Sequence, residues 1–388
     1  MSSNNSSLTV VMGCDTFAPD VNGAARFTER LCAGLIKRGI DVQVVAPATS
    51  KKSVGSGIEG VEGVDLVVHR LPSHKLWGHE WIRFVMPWVA RRRSAQLLED
   101  IKPDAVHIQS HILVGRGISA EASKRNIRVI ATNHVMPENI LDLKRMPGFM
   151  KKPLLKLGWS DLNRVISRAV RITTPTRKAA DFLERNTTRD GVIPISCGLD
   201  ASSYEHNLDA RSENRMVFVG RLNQEKQIDV AIKALAQCDP QLNVQFDIVG
   251  GGDQRANLEK LAQELGVADR VHWHGKASEQ RLRDVLTSGS VFVMPSIAEL
   301  QSIATLEAMA SGLPVIVADA MALPHLVEEG KNGYLFEPGN VPELCKVIEK
   351  VLNLNSDQFR AMQEASLEMV ESHDIERTLD AFEKLYRG

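Results

Sequence analysis

The chain carries no excess of charge, no paired-cysteine motif and no apolar run long enough to cross a bilayer. Its 388 residues hold 47 Lys and Arg against 48 Asp and Glu, a net charge of -1. That balance removes the case for bulk nucleic-acid binding. The five cysteines, Cys14, Cys32, Cys197, Cys238 and Cys345, are dispersed, and none forms Cys-x-x-Cys. An odd, scattered set is expected to be reduced thiols in a cytoplasm rather than a disulfide frame. Met1 to Ser7 is polar and lacks a basic segment leading into an apolar one, so no secretory signal is expected. No apolar stretch has the length of a membrane span. Short internal repeats and low-complexity tracts are missing as well. What remains is an ordinary globular composition, 43% hydrophobic and 24% charged, on a chain long enough for two or three domains.

Short apolar strands alternate with amphipathic helices along the chain. Leu8 to Gly13 reads as a strand, and Cys14 to Gly23 as a loop. Ala24 to Arg38 has helical spacing and stops at Gly39, and Val42 to Ala46 is a second strand. Ala105 to Ile108, Val129 to Thr132, Ile172 to Thr174 and Gly191 to Ile195 extend the set. This order predicts an α/β fold with a doubly wound parallel sheet. Gly198 to Arg215 is polar and breaks the pattern, so residues 198–214 are expected as a linker. A second set of βα units begins at Met216 to Gly220. It continues through Val244 to Val249, Val271 to Trp273, Ser290 to Met294 and Pro314 to Ala318. Helices are expected over Val341 to Leu354 and Asp357 to Tyr386. The predicted division is 1–197, 215–370 and a terminal helix, 371–388, returning to the first domain. Two Rossmann-like halves of similar size are expected to face each other across a ligand-sized cleft.

The most informative run is Glu299-Leu-Gln-Ser-Ile-Ala-Thr-Leu-Glu307. It follows the strand ending near Met294 and opens a helix expected over Gln301 to Ser311. Gly312 is the expected stop. A strand, loop and helix in this order place helix amides at the carboxyl edge of a parallel sheet, where α/β proteins bind phosphate. Glu299 and Glu307 then supply carboxylates that accept bonds from sugar hydroxyls. Otherwise Glu299 is a helix N-terminal charge and Glu307 a surface one. Glu307 sits among apolar neighbours, and a buried carboxylate there needs a partner, which two ribose hydroxyls would provide.

Four segments together resemble the retaining glycosyltransferases of family 4, which have the two-domain GT-B fold. They are Pro19-Asp-Val-Asn-Gly23-Ala, Val192-Ile-Pro-Ile-Ser-Cys-Gly198-Leu-Asp200, Val219-Gly220-Arg221-Leu-Asn-Gln-Glu225-Lys226-Gln-Ile-Asp229, and the Glu-x7-Glu run. The resemblance covers nearly the whole chain. It implies transfer of a hexose from a nucleoside diphosphate with retention, the donor being GDP-mannose or UDP-glucose with a lean to the first. It implies no metal, and the chain shows no Asp-x-Asp pair; no cofactor is expected beyond the nucleotide-sugar substrate. Arg221 and Lys226 would hold the diphosphate, a planar fork of donors beside a point cation. Taken alone, they would read as a solvated surface pair. Glu299 would sit at the transferred sugar and Glu307 at the nucleotide ribose. Backbone groups of Leu300, Gln301, Ser302 and Ile303 would meet sugar and phosphate, in place of the family's common Glu-Gly-Phe-Gly. Lys276, in Gly275-Lys276-Ala277, would lie near the nucleobase.

Gly23 would let the first loop approach the ligand closely, where many relatives have Gly-Gly; its plain alternative is a helix-entry turn. His134 matches the histidine that family members place against the sugar, and its alternative is a structural role. His107 with His111, and His272 with His274, have metal-pair spacing but no third ligand, which favours packing and hydrogen bonding. Gly250-Gly-Gly252-Asp253 resembles a phosphate loop weakly and a strand-to-helix turn more closely.

Two stretches point to the acceptor. His74 to Arg93 interleaves Trp77, Trp81 and Trp88 with Arg83, Arg91, Arg92 and Arg93. Lys144 to Trp159 sets Phe149 and Trp159 among Lys144, Arg145, Lys151, Lys152 and Lys156. Such segments suit the interface of an anionic membrane, and equally a pair of core-packing helices with solvated cations. The first reading is a cytoplasmic enzyme, peripheral on the inner leaflet, glycosylating a lipid headgroup. The rivals are a soluble acceptor, such as inositol or a sugar phosphate, and a non-catalytic nucleotide-sugar binder or a GT-B relative such as an epimerase or a phosphorylase.

Overall fold

The computed structural model describes residues 8–20, 22–75, 83–140, 148–209 and 211–388. Trp77, Trp81, Lys144 and Arg145 of the basic aromatic stretches lie outside the described residues, as does the polar start, Met1 to Ser7. The chain divides into two compact units, one of Met1–Ser196 with Glu376–Gly388, the other of Cys197–Ile375.

The first unit is built on eight strands. They are β1 (Thr9–Gly13), β2 (Asp41–Pro47), β3 (Gly55–Val61), β4 (Val64–Leu71), β7 (Ala105–Ile108), β8 (Arg128–Thr132), β9 (Arg171–Thr174) and β10 (Ile193–Pro194). A separate short pair is made by β5 (His74–Lys75) and β6 (Arg83–Phe84). The sheet order is β10-β9-β8-β7-β1-β2-β4-β3, parallel except where β3 meets β4. Val10, Val11 and Met12 of β1 are fully buried, as a strand covered on both faces requires. The helices are α1 (Gly23–Lys37), α2 (Pro87–Ile101), α3 (Val114–Lys124), α4 (Pro137–Ile140), α5 (Gly148–Ile166) and α6 (Arg177–Asn186). Asn22 caps α1 by accepting the Ala25 amide at 3.0 Å.

The β3–β4 hairpin has no counterpart in the sequence reading. β3 is an exposed edge strand in which Gly55, Gly57 and Gly60 interrupt any apolar alternation, leaving only Ile58 and Val61 as strand formers. Its turn, Glu62-Gly63, has both residues at positive φ, the backbone of a type I′ turn.

The second unit carries six parallel strands, β11 (Arg215–Val219), β12 (Gln245–Val249), β13 (Val271–Gly275), β14 (Val291–Met294), β15 (Val315–Ala318) and β16 (Gly333–Phe336), in the order β13-β12-β11-β14-β15-β16. The short edge strand β16 is absent from the strands expected of the sequence. Between the strands run α7 (Ile228–Gln237), α8 (Arg255–Glu264), α9 (Glu279–Ser288) and α10 (Ile303–Ala310), followed by α11 (Val341–Leu352) and α12 (Ser356–Glu371). Gly312 ends α10 at φ 75°, with its amide on the Met309 carbonyl and that of Leu313 on Ala308. That is the bonding of a Schellman stop.

Two expectations need correction. The stretch 198–214 is part of the second unit, because Leu199 and Tyr204 are buried in that unit's core. The helix expected over Asp357 to Tyr386 is two helices, α12 and α13 (Ile375–Arg387). The break comes where His373 accepts the Leu199 amide at 2.8 Å and Leu199 accepts that of Ile375 at 3.1 Å, which draws the backbone out of the helix. Within the first unit, α13 buries Leu379, Phe382 and Tyr386, and Arg38 bonds Glu376 and Asp380 across to it.

Candidate functional site

In a doubly wound sheet the ligand sits at the carboxyl ends of the strands, where the strand order reverses. In the second unit that point lies between β11 and β14, which pair directly through Met216 with Val291 and Val217 with Phe292. The loop after β11 carries Arg221 and Lys226. The loop after β14 carries Glu299. The two loops are stitched by their backbones, for the Glu225 carbonyl accepts the Ile297 amide at 3.0 Å and the Ser296 hydroxyl at 3.3 Å. Lys226 Nζ consequently donates to Glu299 Oε1, with the two side chains only 15% and 13% exposed. Sequence distance separates these residues, and the strand order joins them.

The glycine triplet supports the first loop from beneath. A Cβ at Gly250 would lie 1.8 Å from the Gly220 carbonyl oxygen, and one at Gly252 would lie 2.3 Å from that of Leu222. Only glycine permits that approach at Gly250 and Gly252, which pack closely beneath the Arg221 loop. Arg221 projects outward, 56% exposed, with Glu225 at 3.9 Å. Lys276 follows β13 beside this loop, its Cγ 4.0 Å from where a Gly251 Cβ would be.

Helix α10 opens at Ser302, which holds φ 76°, an unusual backbone for a residue with a side chain. Its hydroxyl caps the Thr305 amide. No acceptor among the described residues takes the amides of Ile303 and Ala304. These are orphan donors at the positive end of a helix, an arrangement that binds anions. Leu300 and Gln301 are both buried, and the Gln301 side chain is already committed. It accepts the Cys197 amide at 2.7 Å and donates to His373 Nδ1 at 3.2 Å. Burial holds His373 neutral, lowering its pKa to about 4.

Glu307 is 8% exposed, so it is not the surface charge of the plainer reading. It has a partner within the protein. Tyr204 donates its hydroxyl to Glu307 Oε1 at 2.9 Å, and Arg283 lies over the Tyr204 ring. Sequence reasoning misses Tyr204 because it stands in the polar stretch that reads as a linker. A lone aromatic among polar residues is the available signal.

The first unit presents its own carboxyl edge at β1 and β7. Here the first turn of α3 is already filled, because Asp15 accepts the amides of Leu113 and Val114 at 3.0 and 2.8 Å. At the second unit's switch point, by contrast, the amides of Ile303 and Ala304 take no acceptor among the described residues. His134, after β8, bonds Gln109 Oε1 through Nε2 at 3.0 Å and packs on Phe27 with centroids 4.9 Å apart. Burial lowers its pKa to about 4, so the imidazole is neutral, and an amide oxygen can only accept. Nε2 therefore holds the proton and Nδ1 is left as an acceptor. Gln109 is one residue past the end of β7, a position that flags it. His107, with its pKa lowered to about 3 by burial, bonds Tyr386 at 2.8 Å and Thr132 at 2.6 Å.

Gly23 stands at the first position of α1. A Cβ there would meet nothing within 4 Å, so packing does not demand glycine. His272 bonds Gln245 at 2.9 Å, and His274 bonds the buried Asp247 at 2.7 Å, which also holds Arg215. These are structural bonds. On α2 and α5, Trp88, Phe149 and Leu157 are 68%, 80% and 65% exposed. Core packing therefore does not explain them. It does explain Trp159, which is buried and donates to Glu138 at 2.9 Å. Among the described residues, no helix is long and apolar enough to cross a membrane.

Comparison with known proteins matches residues 21–203 to Glycosyltransferase Family 4 and residues 204–368 to Glycosyl transferases group 1. An uncharacterized glycosyltransferase of Methanocaldococcus jannaschii is 32% identical over 364 residues, 86% of each chain. An alpha-monoglucosyldiacylglycerol synthase of Acholeplasma laidlawii is 25% identical over 83% of each. A sulfoquinovosyl transferase of Arabidopsis thaliana is 27% identical over 72% of this chain, and the match spans 56% of that protein. In structure, a sucrose-phosphate synthase from Thermosynechococcus elongatus superposes with a TM-score of 0.82 over 98% of both chains, at 20% identity.

Proposed function

The chain belongs to the family 4 glycosyltransferases, and on that premise we propose that it moves a hexose from a nucleoside diphosphate to a hydroxyl of a membrane lipid headgroup, with retention at the anomeric carbon. The donors considered are GDP-mannose, taken first, and UDP-glucose. The observation that carries the reading is the Lys226–Glu299 pair, set beside open amides at the start of α10.

In the reaction the bond from the anomeric carbon to the β-phosphate oxygen breaks. The acceptor oxygen bonds the same face, and its proton passes to the leaving phosphate. The task of the protein is then to position the groups and to stabilise the diphosphate's growing charge. Lys226, Arg221 and the amides of Ile303 and Ala304 supply donors of the right sign without a metal. Glu299 is assigned to the sugar, Glu307 to the ribose and Lys276 to the base. His134, neutral with Nδ1 free to accept, is assigned to a sugar hydroxyl. The lipid acceptor is supported by the exposed Trp88, Phe149, Met150 and Leu157 among Arg92, Arg93, Lys152 and Lys156, and by the diacylglycerol-directed name of one relative. Apolar side chains flanked by cations suit an anionic bilayer surface.

Two measurements test this. Arg221→Ala and Lys226→Ala should each cut transfer and donor hydrolysis strongly in folded protein; near-normal turnover in both removes the phosphate assignment. Anionic liposomes at low salt should carry the protein upward in flotation, and less so after Trp88→Ser with Phe149→Ser. Absence of binding would move the acceptor to a soluble molecule.

A further inference from the structure

The second unit holds a cluster of two thiols and a carboxylate that the transfer reaction does not use. Among the described residues, one group of three cysteine, histidine or carboxylate side chains brings its donor atoms together, Cys238, Cys345 and Glu349, all within 4.8 Å of one another. Cys238 is the residue that ends α7. Cys345 and Glu349 are one turn apart on α11, which packs against α7. Lys226 lies just ahead of the start of α7 and Cys238 at its end. A helix of this length puts about 15 Å between them, so the cluster is separate from the diphosphate residues.

The spacing fits a tetrahedral ion. Cys345 Sγ lies 3.6 Å from Glu349 Oε1. A metal about 2.3 Å from sulfur and about 2.1 Å from oxygen, at a tetrahedral angle, separates the two ligand atoms by about 3.6 Å. The carboxylate is also aimed from behind, since Glu349 Oε1 accepts the Asp239 amide at 2.8 Å. Outer bonds of this kind fix a ligand's orientation. Both cysteines are buried and Glu349 is half-buried, which leaves one side for a water as fourth ligand.

We propose that Cys238, Cys345 and Glu349 bind a thiophilic, tetrahedral divalent ion, zinc, which clips the end of α7 to α11. A cysteine ligates a metal as its thiolate, so each thiol loses its proton on binding. Zinc enters by displacing the two protons, so that both sulfurs bind as thiolates.

The reduced, chelator-stripped protein, titrated with Zn²⁺ against a chromophoric chelator, should take up one equivalent. That equivalent should be lost in Cys238→Ser and in Cys345→Ser. Glu349→Gln should weaken uptake by about tenfold or more, since even an outer partner is worth that much. Co²⁺ in the wild-type chain should give thiolate charge-transfer absorption and the visible bands of a tetrahedral site, a readout that needs no variant to fold. The proposal is overturned if the reduced wild type takes up no stoichiometric Zn²⁺, if Co²⁺ keeps its aqueous spectrum, or if folded Cys238→Ser binds Zn²⁺ like wild type.

Discussion

Replacing Lys226 by methionine keeps most of the aliphatic stem and removes the charge. The Glu299 carboxylate, 13% exposed, then loses its cation. Leaving a fully buried charge unpaired costs about 3–5 kcal/mol. Residual water contact at this site lowers the expectation to about 1–3 kcal/mol. In a unit of this size each kcal/mol moves the melting temperature by about 2–4 °C, so a fall of about 2–12 °C is expected. The effect on catalysis should be larger. Removing one donor that stabilises transition-state charge typically costs about 10²–10³ in turnover, or about 2.7–4 kcal/mol. Arg221→Ala separates the two effects, because Arg221 is more than half exposed and should cost activity with little change in melting. The assay is donor turnover at saturating nucleotide sugar beside a thermal melt, with Glu299→Gln and the double variant completing a cycle. The pair should show a coupling of about 0.5–3 kcal/mol. A folded Lys226→Met variant within about threefold of wild-type turnover, a loss of only about 0.6 kcal/mol, would refute the placement of this cation at the leaving group.

Tyr204→Phe should destabilise the second unit by about 1–3 kcal/mol, because Glu307 loses a donor in a buried setting. It should also weaken nucleoside diphosphate binding by calorimetry; unchanged stability and affinity together would remove Tyr204 from the site. Acid should destabilise the fold through His107, His134 and His373, whose folded pKa values lie near 3, 4 and 4 against an ordinary 6.5. Below pH 6.5 the unfolded chain binds more protons than the folded one, so stability is full above that value and falls as pH drops towards 4. Each histidine contributes up to about 1.4 kcal/mol per pH unit. Melting temperatures at pH 7 and pH 5 check this, and a midpoint that holds or rises at pH 5 would contradict it.

Most parallel strands of both sheets, though not β4 or β16, were legible because strands buried on both faces must be continuously apolar. Gly312 was legible as a helix stop because the αL position admits little else. The hairpin of β3 and β4 was hidden because an exposed, glycine-containing edge strand carries no apolar pattern. The Glu299 run declared a helix start at a sheet edge, and Arg221 and Lys226 declared basic character.

What local sequence determined by itself was the alternation of strand and helix, the family resemblance and the residue types at each strand end. Tertiary structure alone decided the partners. Lys226 meets Glu299 because β11 and β14 are neighbours in a sheet whose order is not the chain order. Tyr204 meets Glu307 because a polar stretch folds back onto a core. Cys238 meets Cys345 because two helices far apart in the chain pack on one another. Side-chain chemistry is written residue by residue, whereas which charges neutralise each other depends on strand order, and no local pattern encodes that order.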